Sequence, residues 1–151
     1  MYFALIVLTM LVFPAISSFL QLLLSSTGAS LFGSLSSWFV FWALGVRLLL
    51  AGLRQVFQPA FTAEHIFEIS DTKSHVIVQE LGFANLSFGV VGIVSLWIHA
   101  WAAPAALLGC LFYGLAGFNH ILKKKNQTEW IAMISDLYAS VLMLSIFVLR
   151  P

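Results

Sequence analysis

HVIVQELGFANLSFGVVGIVSLWI, residues 75–98, is the stretch that decides the fold. Its one formal charge is Glu80. It is too long for a strand, which usually runs about 3–10 residues. Wound as an α-helix, it gathers Gly82, Asn85, Gly89 and Gly92 within about 80° of arc and leaves the rest of its circumference almost wholly apolar. Hydrocarbon tolerates such a surface and water does not. About 20 apolar residues at 1.5 Å rise cover a bilayer core of roughly 30 Å. Residues 75–98 therefore read as a membrane span.

Four further stretches qualify on the same arithmetic: about 2–24, 32–56, 103–122 and 128–149. The expected fold is all-α, a polytopic transmembrane bundle of about five spans forming a single domain over 1–151. Composition agrees. The 151 residues are 61% hydrophobic and 9% charged, against about 25% charged in a soluble domain. Residues 1–24 lack the basic start of a signal peptide and exceed its usual apolar length of about 7–15 residues, so they are expected to be a retained span, kinked near Pro14. Asn126 and Glu129 have capping-box spacing before the last span. In the 57–74 loop a short surface helix is expected over about 62–69, with Thr62 as its cap and Phe61 and Ile66 as a hydrophobic staple.

Charge fixes an expected orientation. With five spans, Lys73, Lys123, Lys124 and Lys125 lie on the N-terminal side, with Arg54 at the end of the second span. The positive-inside rule makes that side cytoplasmic. The formal net charge of +1 comes with no basic stripe, so nucleic acid is not an expected partner; membrane lipids and other membrane-protein subunits are. Cys110 is alone, which excludes an intrachain disulfide and a cysteine zinc pattern.

Polar side chains inside the spans are the candidates for function. Arg47, Glu80, Asn85, His120 and Asp136 all fall within about three turns of the cytoplasmic end, on four different helices. An ionisable group at mid-bilayer costs roughly 2.5–3.5 kcal/mol, and turning such groups toward one another lowers that cost. They are expected to converge on a pocket open to the cytoplasm. Structural pairing of Arg47 with Glu80 or Asp136, locking helix register, accounts for the same residues. In the third span the glycine stripe, and in the fourth Gly109, Tyr113, Ala116 and His120, mark contact faces. The two spans are expected to pack as a hairpin through Gly89 and Gly109.

No metal site and no cofactor is expected. His65 and Glu68 are spaced for a metal, but a solvated helix face explains the same residues and is the preferred reading; His75 and His120 lie at the similar depths that haem ligation would need, and each is also a common interfacial residue. No GxSxG, P-loop, HExxH or dinucleotide fingerprint occurs. Two function classes stay open. One is a non-enzymatic bundle that binds a lipophilic ligand or serves as an accessory subunit of a membrane complex. The other is a membrane-embedded enzyme or redox protein acting on a lipophilic substrate, with His120 as acid–base group and Glu80 or Asp136 orienting it. Proton-coupled transport would need polar residues through the full depth, and the outer half carries no charge.

FWALGVRLLLAGLRQVFQPAF (41–61), VIVQELGFANLSFGVVGI (76–93) and LFYGLAGFNHI (111–121) resemble an uncharacterised family of small bacterial inner-membrane proteins, itself distantly similar to DoxX-type four-helix membrane proteins. The likeness covers roughly residues 40–122. The ELGFAN run and the downstream GLAG and NH residues are its more specific parts. It implies a compact helical bundle in a bacterial cytoplasmic membrane and carries no reaction with it. The N-terminal span departs from a four-helix pattern.

Overall fold

The computed structural model describes residues 2–25, 30–122 and 127–149. Among them every regular element is helical, and five helices are long and apolar enough to cross a membrane. The Lys123–Lys125 triplet and the capping box at Asn126 lie outside the described residues.

The first span joins Tyr2–Val7 and Phe13–Leu24 through a widened π turn, Leu8–Val12. The cause is local. Pro14 has no N–H to give, and its ring would strike the carbonyl four residues back. The turn before it opens instead, and Phe13 donates to the Leu8 carbonyl. Thr9 and Ser18 return their hydroxyls to the carbonyls of Leu5 and Pro14, at 2.8 and 2.6 Å. Such back-bonding lets buried hydroxyls sit in an apolar helix.

The second span comprises Leu31–Phe39, a second π segment Val40–Val46, and Arg47–Phe57. Ser30 caps it, accepting from the Gly33 N–H at 3.0 Å, which is the ordinary role of serine at an N-cap. This is the most buried of the five spans. Phe39, Val40, Ala43, Leu44 and Leu48 form the centre of the core.

The third span is Ser74–Val94, the fourth Ala102–Leu122 and the fifth Gln127–Leu149. A single 3₁₀ turn, His99–Trp101, leads into the fourth. The expected hairpin of spans three and four is corrected here. The glycine stripe of the third span packs on the second. A Cβ on Gly92 would stand 2.6 Å from the Gly45 nitrogen, and one on Gly89 would stand 2.6 Å from the Leu49 nitrogen. Gly52 and Gly82 meet about two turns beyond Gly45 and Gly89. Span two carries its own small residues, Gly45 and Gly52, seven apart on one face, so two backbones approach where neither bears a side chain. Gly109 meets Leu44 and Met143 instead, and the fourth span pairs with the fifth through Gly114 and Gly117.

The surface helix runs over Pro59–His65, three residues earlier than the sequence suggests. Pro59 presets the backbone for a first helical turn, so the helix starts immediately after the second span ends. Thr62 is consequently inside the helix and buried, not its cap. Phe61 does not staple onto Ile66; it stacks on His65. Beyond the helix, Glu68 holds a left-handed conformation at φ 58°, which favours glycine over glutamate.

Candidate functional site

Arg47 is the first residue after the π segment of the second span. Its N–H is shared between the Leu44 and Trp42 carbonyls and passes over that of Ala43. The Ala43 carbonyl takes a hydrogen bond from the Tyr113 hydroxyl of the fourth span instead. The widened turn thus turns one backbone acceptor sideways, and a buried tyrosine fills it. Wide turns of this kind recur at functional positions.

The Arg47 guanidinium is held from three other spans. Nη2 donates to Asp136 Oδ1 at 2.9 Å and to Ser135 Oγ at 3.3 Å, both on the fifth span. Nη1 faces the Met10 sulfur of the first span at 3.6 Å. The guanidinium carbon stands 4.9 Å from the centre of the Tyr113 ring. The Ser135 hydroxyl itself donates to the Ala132 carbonyl at 2.8 Å. Both charged side chains are 10% exposed. Arg47 lies ten positions, about 15 Å, before the end of its span. A charge buried at that depth needs a partner, and here one carboxylate, a hydroxyl and a ring supply it.

Of the other three candidates, Asn85 and Glu80 lie elsewhere and His120 lies nearer the pair. Asn85 donates to Gln55 Oε1 at 2.7 Å across the second–third span contact, and its own Oδ1 is buried without a partner. Glu80 is on the exposed face of the third span and forms no ion pair among the described residues. His120 is part-buried two turns along the fourth span from Tyr113, within electrostatic reach of Asp136, and its Nδ1 has no hydrogen-bond partner. Among the described residues no group of three or more His, Cys, Asp or Glu could hold a metal ion.

Two cavities open between the spans. One, about 350 Å³, lies between the first, second and fifth spans, bounded by Met10, Pro14, Phe39, Tyr138, Leu142 and Ile146 among others. Its walls are almost wholly apolar, with Ser36, Ser145 and the edge-on ring pair of Phe39 and Tyr138 at its margins. Met10 separates it from the Arg47 guanidinium. The other, about 400 Å³, lies between Gln21, Trp38 and Trp97. There Gln21 Oε1 already accepts from Ser34 and Trp38 at 2.7 and 2.8 Å.

Sequence reasoning marked Arg47 and Asp136 because charge inside a span is conspicuous. It missed what surrounds them. Ser135 and Met10 look like ordinary span residues. Tyr113 was placed on a contact face, but its acceptor is a carbonyl exposed only by the π segment.

No curated protein and no solved structure matches this chain. A family model does, over residues 4–150, nearly the whole sequence, and the chain belongs to that family, a family of unknown function (DUF6790).

Proposed function

We propose that this protein is a non-catalytic membrane bundle that holds a lipophilic molecule in the groove between its first, second and fifth spans. The observation that supports this most is the groove itself. A cavity of about 350 Å³ with apolar walls and a few hydroxyls at its margin has the size and lining of a small-ligand site. The buried pair of Arg47 and Asp136 serves as a lock beneath it, since its donors and acceptors are already engaged. Membrane lipids are the first class of ligand in this reading, and service as an accessory subunit of a larger membrane complex is compatible with it. The Lys and Arg asymmetry supports a cytoplasmic N-terminus, and the resemblance to small inner-membrane proteins supports a bacterial cytoplasmic membrane as its place.

The test is purification in mild detergent followed by mass spectrometry of whatever lipophilic molecule co-purifies. Ala15 lines the groove, so Ala15→Phe should empty it while helicity and elution stay unchanged. A wild-type protein that carries nothing, or a variant that carries as much, would contradict the reading.

One observation favours a second reading, an embedded enzyme or redox protein acting on a lipophilic substrate through His120. A part-buried imidazole nitrogen without a partner, near a carboxylate, is the arrangement a proton-transfer group needs. Asp136 is the carboxylate available to it, because Glu80 lies on an exposed face. Under this reading His120→Ala abolishes turnover with the fold intact. Under the first, the same variant still retains its ligand.

A further inference from the structure

We infer that the elbow after the second span is a second binding site, for the phosphate of an anionic phospholipid, with Arg54 as the cation that takes it. It is separate from the groove and does not depend on it. Arg54 is exposed three residues before the second span ends at Phe57. Its guanidinium carbon lies 3.6 Å from the centre of the Phe61 ring. Phe61 in turn stacks on His65, ring centres 4.8 Å apart and planes 5° apart. Three flat groups thus form one stack on the Pro59–His65 helix, which is anchored by the buried Thr62 and Ala63.

The stack fixes a charge that no described carboxylate neutralises. Among the described residues Arg54 has no carboxylate within ion-pair distance. The elbow's Glu64 faces His75 at 4.0 Å, and an Asp71 carboxylate oxygen accepts from the Lys73 N–H at 3.0 Å. A guanidinium cannot lose its proton in a protein. Laid on a ring, it directs its N–H donors outward along its edge, the geometry that grips phosphate oxygens in pairs.

The rim says which phosphate. Phe57, Phe67 and Ile69, on the same elbow of the chain, are exposed. The left-handed turn at Glu68 separates Phe67 from Ile69, and their N–H groups are tied to the Thr62 and Ala63 carbonyls at 3.0 and 2.9 Å. Exposed apolar side chains on the same elbow as a fixed cation, at the end of a span, match the boundary between acyl chains and headgroups.

Native mass spectrometry of the full chain in detergent, titrated with phosphatidylglycerol and phosphatidylcholine of identical acyl chains, tests this. The wild type should retain phosphatidylglycerol about fivefold more. Arg54→Ala should erase that preference. Phe61→Leu, which keeps the charge and removes the ring, should cut it by about half or more, and helicity should be unchanged in both variants. Inorganic phosphate in excess should leave the preference intact, because the rim contributes too. Equal retention of the two lipids by the wild type would overturn the site. A preference untouched by Phe61→Leu would reduce it to an unordered surface charge and overturn it likewise. Displacement by inorganic phosphate would overturn the lipid as its source.

Discussion

Removing one member of a buried ion pair leaves the other charge uncompensated, which costs more than the pair itself contributes. Asp136→Asn strips Arg47 of its carboxylate and leaves its charge among Ser135, Met10 and the Tyr113 ring. The expected loss is about 3 kcal/mol or more, read as a lowered unfolding midpoint in detergent. Replacing both partners, Arg47→Met with Asp136→Leu, should restore much of it. A double variant as unstable as the single one would mean that the charges do more than lock helices together. Tyr113→Phe leaves the Ala43 carbonyl without its donor and should cost about 1–3 kcal/mol in the same measurement. The ion pair was legible in the sequence as two candidates, since Arg47 and Asp136 stand out in apolar runs. Which carboxylate Arg47 would choose was not. Glu80 has the same charge at comparable depth, and only the rotation of the third span about its axis, set by its glycine face, turns it outward.

That glycine face belongs to the element scale. Periodicity found the stripe of Gly82, Gly89 and Gly92 because spacing along a helix fixes direction around it. Periodicity could not say which neighbour the stripe would meet. Adjacency in the chain suggested the fourth span, yet close approach needs small residues on both sides, and Gly45 and Gly52 provide them on the second. The consequence is graded. A Cβ on Gly92 would meet backbone at 2.6 and 2.7 Å, and backbone cannot give way. Gly92→Ala should therefore cost about 1–3 kcal/mol by overpacking. A Cβ on Gly114 meets chiefly the Ser140 hydroxyl, at 2.9 Å, which can rotate aside. Gly114→Ala should be much milder, and equal unfolding midpoints for the two would contradict the packing. The elbow helix shows the same limit from another direction. Both Thr62 and Pro59 are start signals, and proline prevailed because the second span delivers the chain directly to it.

At the scale of the molecule, five apolar helices followed from length and hydropathy alone, since the bilayer sets a minimum run that little else satisfies. The groove did not follow. It exists because the first span, opened by its π turn before Pro14, lies along the second and leaves a gap toward the fifth, a spacing that no single segment encodes. All five helices are long and apolar enough to cross, and all five are expected to do so. An odd number of crossings puts the two ends of the chain on opposite faces of the membrane, with the 58–73 segment on the N-terminal face. The direct measurement uses Cys110→Ser protein with single cysteines introduced in turn at Ser70 and after Leu149, labelled by a membrane-impermeant maleimide in sealed vesicles of one orientation. Five crossings predict that one site labels before the vesicles are opened and the other only afterwards. Labelling of both sites from the same side would contradict the five-span bundle.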